Sequence, residues 1–97
     1  NVMKNSQCIF VVSGQVQCVC FRYHTSRQAQ ALSISGYAEN LNDGRVEVLA
    51  VGDLNQIEKL YAWLQLGPSS ATVDQVVKHK ISEADKRTVS VGEFKIL

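Results

Sequence analysis

Proline occurs once in the 97 residues, at Pro68, and glycine only six times. No internal repeat, linker or low-complexity tract divides a chain of this kind, and one domain spanning residues 1–97 is expected. Cysteine is scarce too. Cys8, Cys18 and Cys20 are an odd number, too few for a disulfide framework, and in a reducing compartment free thiols are their simplest state. Charge of one sign is lacking: the net charge is +1 and the sequence pI near 7.9, so no global field draws nucleic acid or an anionic membrane. The longest strongly apolar run, Cys8 to Val12, is far too short to span a bilayer. No charged leader followed by an apolar stretch and a small-residue cleavage site is seen, so the expected location is the cytoplasm. Asn1 and Val2 precede Met3, and residues 1–6 are set aside as a disordered or tag-derived start.

What is present is a hydrophobic content of 45%, sufficient for one core. Gln7 to Ser13 alternates, with Cys8, Phe10 and Val12 on one face and Ile9 and Val11 on the other. Both faces are apolar, which predicts a central strand. Gly14 ends it. From Phe21 the period changes, with Phe21, Thr25, Ala29 and Leu32 at helical spacing and Gly36 as the stop. Tyr37 to Leu41 and Arg45 to Val51 read as two strands. Asn42 to Gly44 turns between them, because Gly44 can take positive φ without steric cost. Asp53 opens a second helix, with Gln56 completing a capping box and Ile57, Leu60, Tyr61 and Leu64 as its buried stripe. Gly67 to Ser70 breaks it. Thr72 to Ile81 is a fourth strand, Ser82 to Val91 is polar and expected to loop out, and Glu93 to Leu97 closes as a short last strand. The order β-α-β-β-α-β predicts an α+β, ferredoxin-like sandwich: a four-stranded antiparallel sheet, two helices on one face and a short extra C-terminal strand.

Two places could carry chemistry. The loop after the first strand leads into a helix whose first N–H groups lack intrahelical partners, a setting that favours an anion. Gly14 would let the backbone turn tightly, and Arg22 adds a fork of donors suited to a phosphoryl group. On spacing alone, a strand-ending glycine and a solvated arginine fit as well. Asn40 lies just before a turn already supplied by Asn42 and Asp43. It is either part of that turn or free to hold a water through an amide that donates and accepts. His24, two residues after Arg22, points elsewhere and reads as a surface helix residue.

The stretches "VSGQVQCVCFR" (Val12 to Arg22) and "GYAENLNDGRVEV" (Gly36 to Val48) resemble the two signatures of the acylphosphatase family, roughly G-x-V-Q-G-V-x-F-R and G-[FYW]-[AVC]-x-N-x-x-x-G-x-V. Gly14, Val16, Gln17, Val19, Phe21 and Arg22 fit the first; Gly36, Tyr37, Ala38, Asn40, Gly44 and Val46 fit the second. "WLQLGPSSATVDQV" (Trp63 to Val76) is similar to the family's second-helix end and following strand. The resemblance implies a monomer that hydrolyses acyl phosphates to a carboxylate and inorganic phosphate, without metal or other cofactor. It implies that the backbone of Gln15, Val16, Gln17, Cys18 and Val19 and the side chain of Arg22 hold the phosphate, and that Asn40 orients the attacking water.

Cys18 departs from the pattern, standing where the signature has glycine. If the loop needs positive φ there, a β-carbon costs about 1–3 kcal/mol, and the thiol would crowd the anion. Reduced, oxidation-sensitive catalysis is therefore expected, and a relative that binds phosphate without turnover is an alternative. Cys18 and Cys20 are awkwardly placed to bond to each other. Their C-x-C spacing raises a second class, a Cu(I)-type soft-metal carrier. RNA binding on the open sheet face is a third, but Gly44 to Val51 has neither stacking aromatics nor net positive charge, and Phe10 reads as core. Lys78, His79 and Lys80 form a short basic patch that reads as a solvated or edge-protecting face.

Overall fold

A computed structural model describes residues 5–97; Asn1 to Lys4, part of the start set aside above, lie outside the described residues. The alternation around Phe10 is realised in β1 (Ser6–Gln15), where Cys8, Phe10 and Val12 are fully buried. Ser6, within that start, already belongs to this strand. The chain continues through α1 (Phe21–Ala31), β2 (Ser35–Asn40), β3 (Val46–Gly52), α2 (Leu54–Leu66), β4 (Thr72–Lys80), a 3-10 turn (Glu83–Asp85) and β5 (Phe94–Ile96). The strands lie in the order β4-β1-β3-β2-β5. β1 runs antiparallel between β3 and β4, as its two apolar faces predict, and β2 is antiparallel to β3. The short last strand joins in parallel beside β2, pairing Ala38 with Ile96.

Both helices cover one face. Phe21 and Ala29 of α1 share a cluster with Ile57, Leu60 and Leu64 of α2 and with Cys8, Phe10, Val12, Val46, Val48 and Ala50 of the sheet. Phe10 stacks on Tyr61 at 5.3 Å between ring centroids. Burial holds the Cys8 thiol above its ordinary range, and Cys8, Cys18 and Cys20 are all unpaired. Lys78 sits on an edge strand, bonded to Glu58 and over the Tyr61 ring. No helix of the described residues is long and apolar enough to cross a membrane.

Several local expectations are corrected. Gly36 does not stop α1. That helix ends in a Schellman motif, with Ser33 at φ 58°, Ser33 N–H donating to Gln30 O at 3.1 Å and Ile34 N–H to Ala29 O at 2.8 Å. Gly36 is a strand residue at φ 142°, and a Cβ there would lie 1.9 Å from Leu49 O. Nor does Gly14 end β1. It sits at a bulge opposite β4, where a Cβ would lie 2.1 Å from Thr72 O, so its smallness serves the neighbouring strand. The capping box does not form: Asp53 makes no side-chain cap, the Gln56 N–H donates to Asp53 O at 3.0 Å, and the Gln56 amide reaches Leu32 O at 3.4 Å.

The polar segment 82–91 is irregular apart from the turn at Glu83–Asp85, as expected of a loop, but it lies on the sheet instead of projecting from it. β4 and β5 are opposite edges, so the chain between them must cross the sheet. It crosses the face away from the helices, where Gln7, Ser35 and Tyr37 project. The Gln7 amide donates to Arg87 O at 2.7 Å and accepts from Arg87 N–H at 2.8 Å. Gly92 N–H donates to Ser35 Oγ at 2.8 Å. Arg87 also donates to the Tyr37 hydroxyl, which itself donates to Glu47 at 2.6 Å. Burial, then the bond to Glu47, raises the Tyr37 phenol above its usual range.

Because β3 backbone occupies the space a side chain would need, Gly36→Ala is expected to cost about 3 kcal/mol or more in urea unfolding. Gly44→Ala, at φ 95° with open space around it, should cost only about 1–2 kcal/mol. Equal losses would contradict the close approach of β2 and β3.

Candidate active site

Residues 16–20 join β1 to α1, and the backbone turns left-handed twice there, at Cys18 (φ 62°) and at Cys20 (φ 58°). A side chain in that region costs about 1–2 kcal/mol per residue. The strain foreseen conditionally at Cys18 is thus present, and Cys20, at a variable position of the first signature, shares it. Cys20 is the N-cap of α1, whose first bond runs from His24 N–H to Cys20 O at 3.0 Å. No side chain caps this helix and no acidic residue lies in its first turn. Its leading N–H groups therefore keep their donor capacity, and the positive end of the helix dipole is not offset locally.

Asn40 is the last residue of β2, paired with Val46. Its Oδ1 is buried and has no hydrogen-bond partner. The turn beyond it closes on itself: Leu41 N–H donates to Arg45 O at 2.8 Å, Gly44 N–H to Leu41 O at 3.2 Å, and Arg45 N–H to Asp43 Oδ1 at 3.1 Å. That last backbone bond, with the Arg45 guanidinium, holds the Asp43 carboxyl below its ordinary range. Asn40 is thus not needed for the turn. A buried carbonyl oxygen left without a donor costs about 1–3 kcal/mol, so it fits a position where a water or ligand supplies one.

Arg22, in the first turn of α1, donates from Nη1 to the main-chain oxygen of Leu97. Leu97 N–H in turn donates to Ala38 O at 2.9 Å, so the residue after β5 tethers the guanidinium to β2. A cavity of about 370 Å³ opens among these parts. Of the residues singled out in the sequence, Val16, Cys18, Arg22 and Asn40 line it; Cys20, Phe21, Tyr23 and Ile96 complete the wall. Gln15, Gln17 and Val19 are not in that lining. Gln15 pairs with Thr72 at the end of β1. The Gln17 side chain turns to the β2–β3 hairpin, and Val19 O accepts from Ser70 Oγ at 2.8 Å. His24 packs edge-on against Tyr23 at 5.5 Å, outside the cavity.

In the sequence Ile96 and Leu97 read only as part of a last strand, not as neighbours of the site. Nothing in the five residues Glu93 to Leu97 says which sheet edge they join, and only pairing with β2 brings them to the site. The result is one guanidinium, an uncapped helix start and a partnerless amide oxygen around a single hollow. Among the described residues, Arg22 is the one side chain in the lining that carries a fixed charge. Such a wall favours a small anion with several acceptor oxygens, and it offers an acceptor that can orient a water.

The backbone at Cys18 yields a direct test. Glycine relieves the left-handed cost, whereas alanine removes only the thiol. Cys18→Gly should be more stable than Cys18→Ala by about 1 kcal/mol in urea unfolding. Equal midpoints would contradict the positive φ.

Residues 8–96 match the family model for acylphosphatase. An acylphosphatase of Vibrio cholerae is 58% identical over 67 residues, 69% of this chain and 74% of the relative. Another, from Halorhodospira halophila, is 47% identical over 81 residues, 84% of this chain and 88% of the relative. Among solved structures, an acylphosphatase from Coxiella burnetii superposes with a TM-score of 0.83 at 32% identity, covering 96% of this chain and 93% of its own. On this agreement of motifs, fold and relatives, the chain belongs to the acylphosphatase family.

Proposed function

We propose that the protein hydrolyses the carboxyl–phosphate bond of small acyl phosphates, as a single-domain monomer acting in the cytoplasm. The observation that carries this reading is the partnerless Asn40 Oδ1 on the same cavity as Arg22 and the first turn of α1. In the proposed complex, backbone N–H groups of the loop where it lines the cavity, at Val16 and Cys18, and the Arg22 guanidinium hold the phosphoryl oxygens; Gln15, Gln17 and Val19 stand behind that wall. A water donates a hydrogen bond to Asn40 Oδ1, which points the water's lone pair at phosphorus. As the new P–O bond forms, the bond to the acyl oxygen breaks and the electron pair leaves on the carboxylate. Carboxylate is a good leaving group, so no side-chain acid is needed, and a phosphoryl oxygen takes the proton lost by the water. What the protein supplies is position and electrostatic stabilisation.

The Cys18 thiol borders this site, and we assign it an obstructing role: it takes up room beside the phosphate and fixes a strained backbone. A copper carrier built on Cys18 and Cys20 and a relative without turnover are not favoured by the family relation. Nor is RNA binding, since Phe10 is fully buried.

Asn40→Ala should lower kcat on benzoyl phosphate by about 10²–10³, the usual loss for one such group, while competitive inhibition by inorganic phosphate stays nearly unchanged. Arg22→Ala should abolish phosphate inhibition. If the asparagine change weakened phosphate binding and left kcat intact, its role would be wrong. Cys18→Gly should raise turnover, measured with reductant present; an unchanged or lower rate would refute the obstruction.

A further inference from the structure

We infer that the side chain of Gln17 is a positioning residue that clamps the phosphate loop to the hairpin carrying Asn40; the inference rests on the function proposed above. Gln17 belongs to the loop between β1 and α1, yet its amide is not in the cavity wall. Its Nε2 donates to Leu41 O at 2.8 Å and to Arg45 O at 3.0 Å, across 24 and 28 residues of sequence. Both acceptors are main-chain carbonyls, which cannot donate, so only the NH₂ end of the amide can face them. Leu41 immediately follows Asn40. Leu41 and Arg45 are also the residues that close the turn, through Leu41 N–H to Arg45 O at 2.8 Å and Gly44 N–H to Leu41 O at 3.2 Å. The two amide hydrogens of Gln17 therefore bridge the neck of the hairpin.

This clamp adds a direct tie between elements whose spacing is otherwise set through the sheet, where Val46 of β3 pairs with both Val12 and Asn40. The phosphorus position is fixed by the loop and Arg22, while the water position is fixed by Asn40 on β2. Phosphorus and water must meet in line, and a misplacement near 1 Å can cost about 10² in rate. Sheet pairing from Asn40 to Val46 holds the strand, but among the described residues the side-chain hydrogen bonds between loop and hairpin are those of Gln17. Its amide acts on the angle of attack through Asn40 rather than on the substrate itself.

The experiment measures Gln17→Ala and the length-preserving Gln17→Met, alone and combined with Asn40→Ala. Readouts are benzoyl phosphate turnover and the inhibition constant of inorganic phosphate, under conditions where urea unfolding shows each variant folded. The expected result is a loss of about tenfold in kcat for both single variants, with the phosphate inhibition constant changed less than twofold. In the Asn40→Ala background the Gln17 changes should cost nothing further, because the water they position is already released. An unaltered kcat, a matching loss of phosphate affinity, or losses that multiply with Asn40→Ala would each overturn the inference. If Asn40→Ala itself leaves kcat unaltered, the proposed function fails first, and the clamp with it.

Discussion

The left-handed turn of the backbone at Cys18 and Cys20 is the constraint on which the site depends. An ordinary extended connection would carry the chain past the end of β1 and start α1 elsewhere. The two inversions instead set the uncapped start of α1 beside the strand it follows, so that Arg22 in its first turn borders the same cavity as Asn40. Cβ atoms at these positions oppose the conformation, and the core must hold it. Phe21, directly after the second inversion, and Val16, just before the first, are each about 1% exposed. Ser70 adds a bond to Val19 O between them. The loop is thus pinned by burial at both ends, which leaves its backbone donors free for a ligand.

The other wall has a different origin. Asn40 owes its place to the β2–β3 pairing, and Arg22 its orientation to Leu97, which is held by Ala38. β5 reaches that edge only because residues 82–92 cross the far face of the sheet and bond to Gln7 and Ser35. The segment that looks least structured in composition therefore fixes the strand that borders the site. Stability and function meet in this crossing: it closes the open face of the sheet and delivers Ile96 to the cavity.

Much of this was legible in the residues. The alternation in β1, the stripe of Ile57, Leu60 and Leu64, and the turn at Gly44 are local signals, and the structure realises each of them. So is the signature glycine replaced by Cys18, because its absence marks a backbone preference. What was not legible depends on distance between elements. The need for glycine at 14 and 36 comes from Thr72 O and Leu49 O, neither of which is near in sequence. The Gln56 amide finds its partner at Leu32 O, 24 residues away, and the targets of Gln17 and of the 82–92 segment are equally remote. Cys20 gave no sign of positive φ, since a variable position carries no glycine to betray it.

The claim at the centre is that the junction between β1 and α1 holds a tetrahedral dianion through its backbone. Titration of the ¹⁵N-labelled protein with inorganic phosphate, followed by amide chemical shifts, tests it most directly. The expected result is saturable movement of the backbone amides from Gln15 to Arg22, joined by the side-chain amide of Asn40. If those signals stay still, or if the saturable shifts fall elsewhere on the molecule, the loop is not the phosphate site.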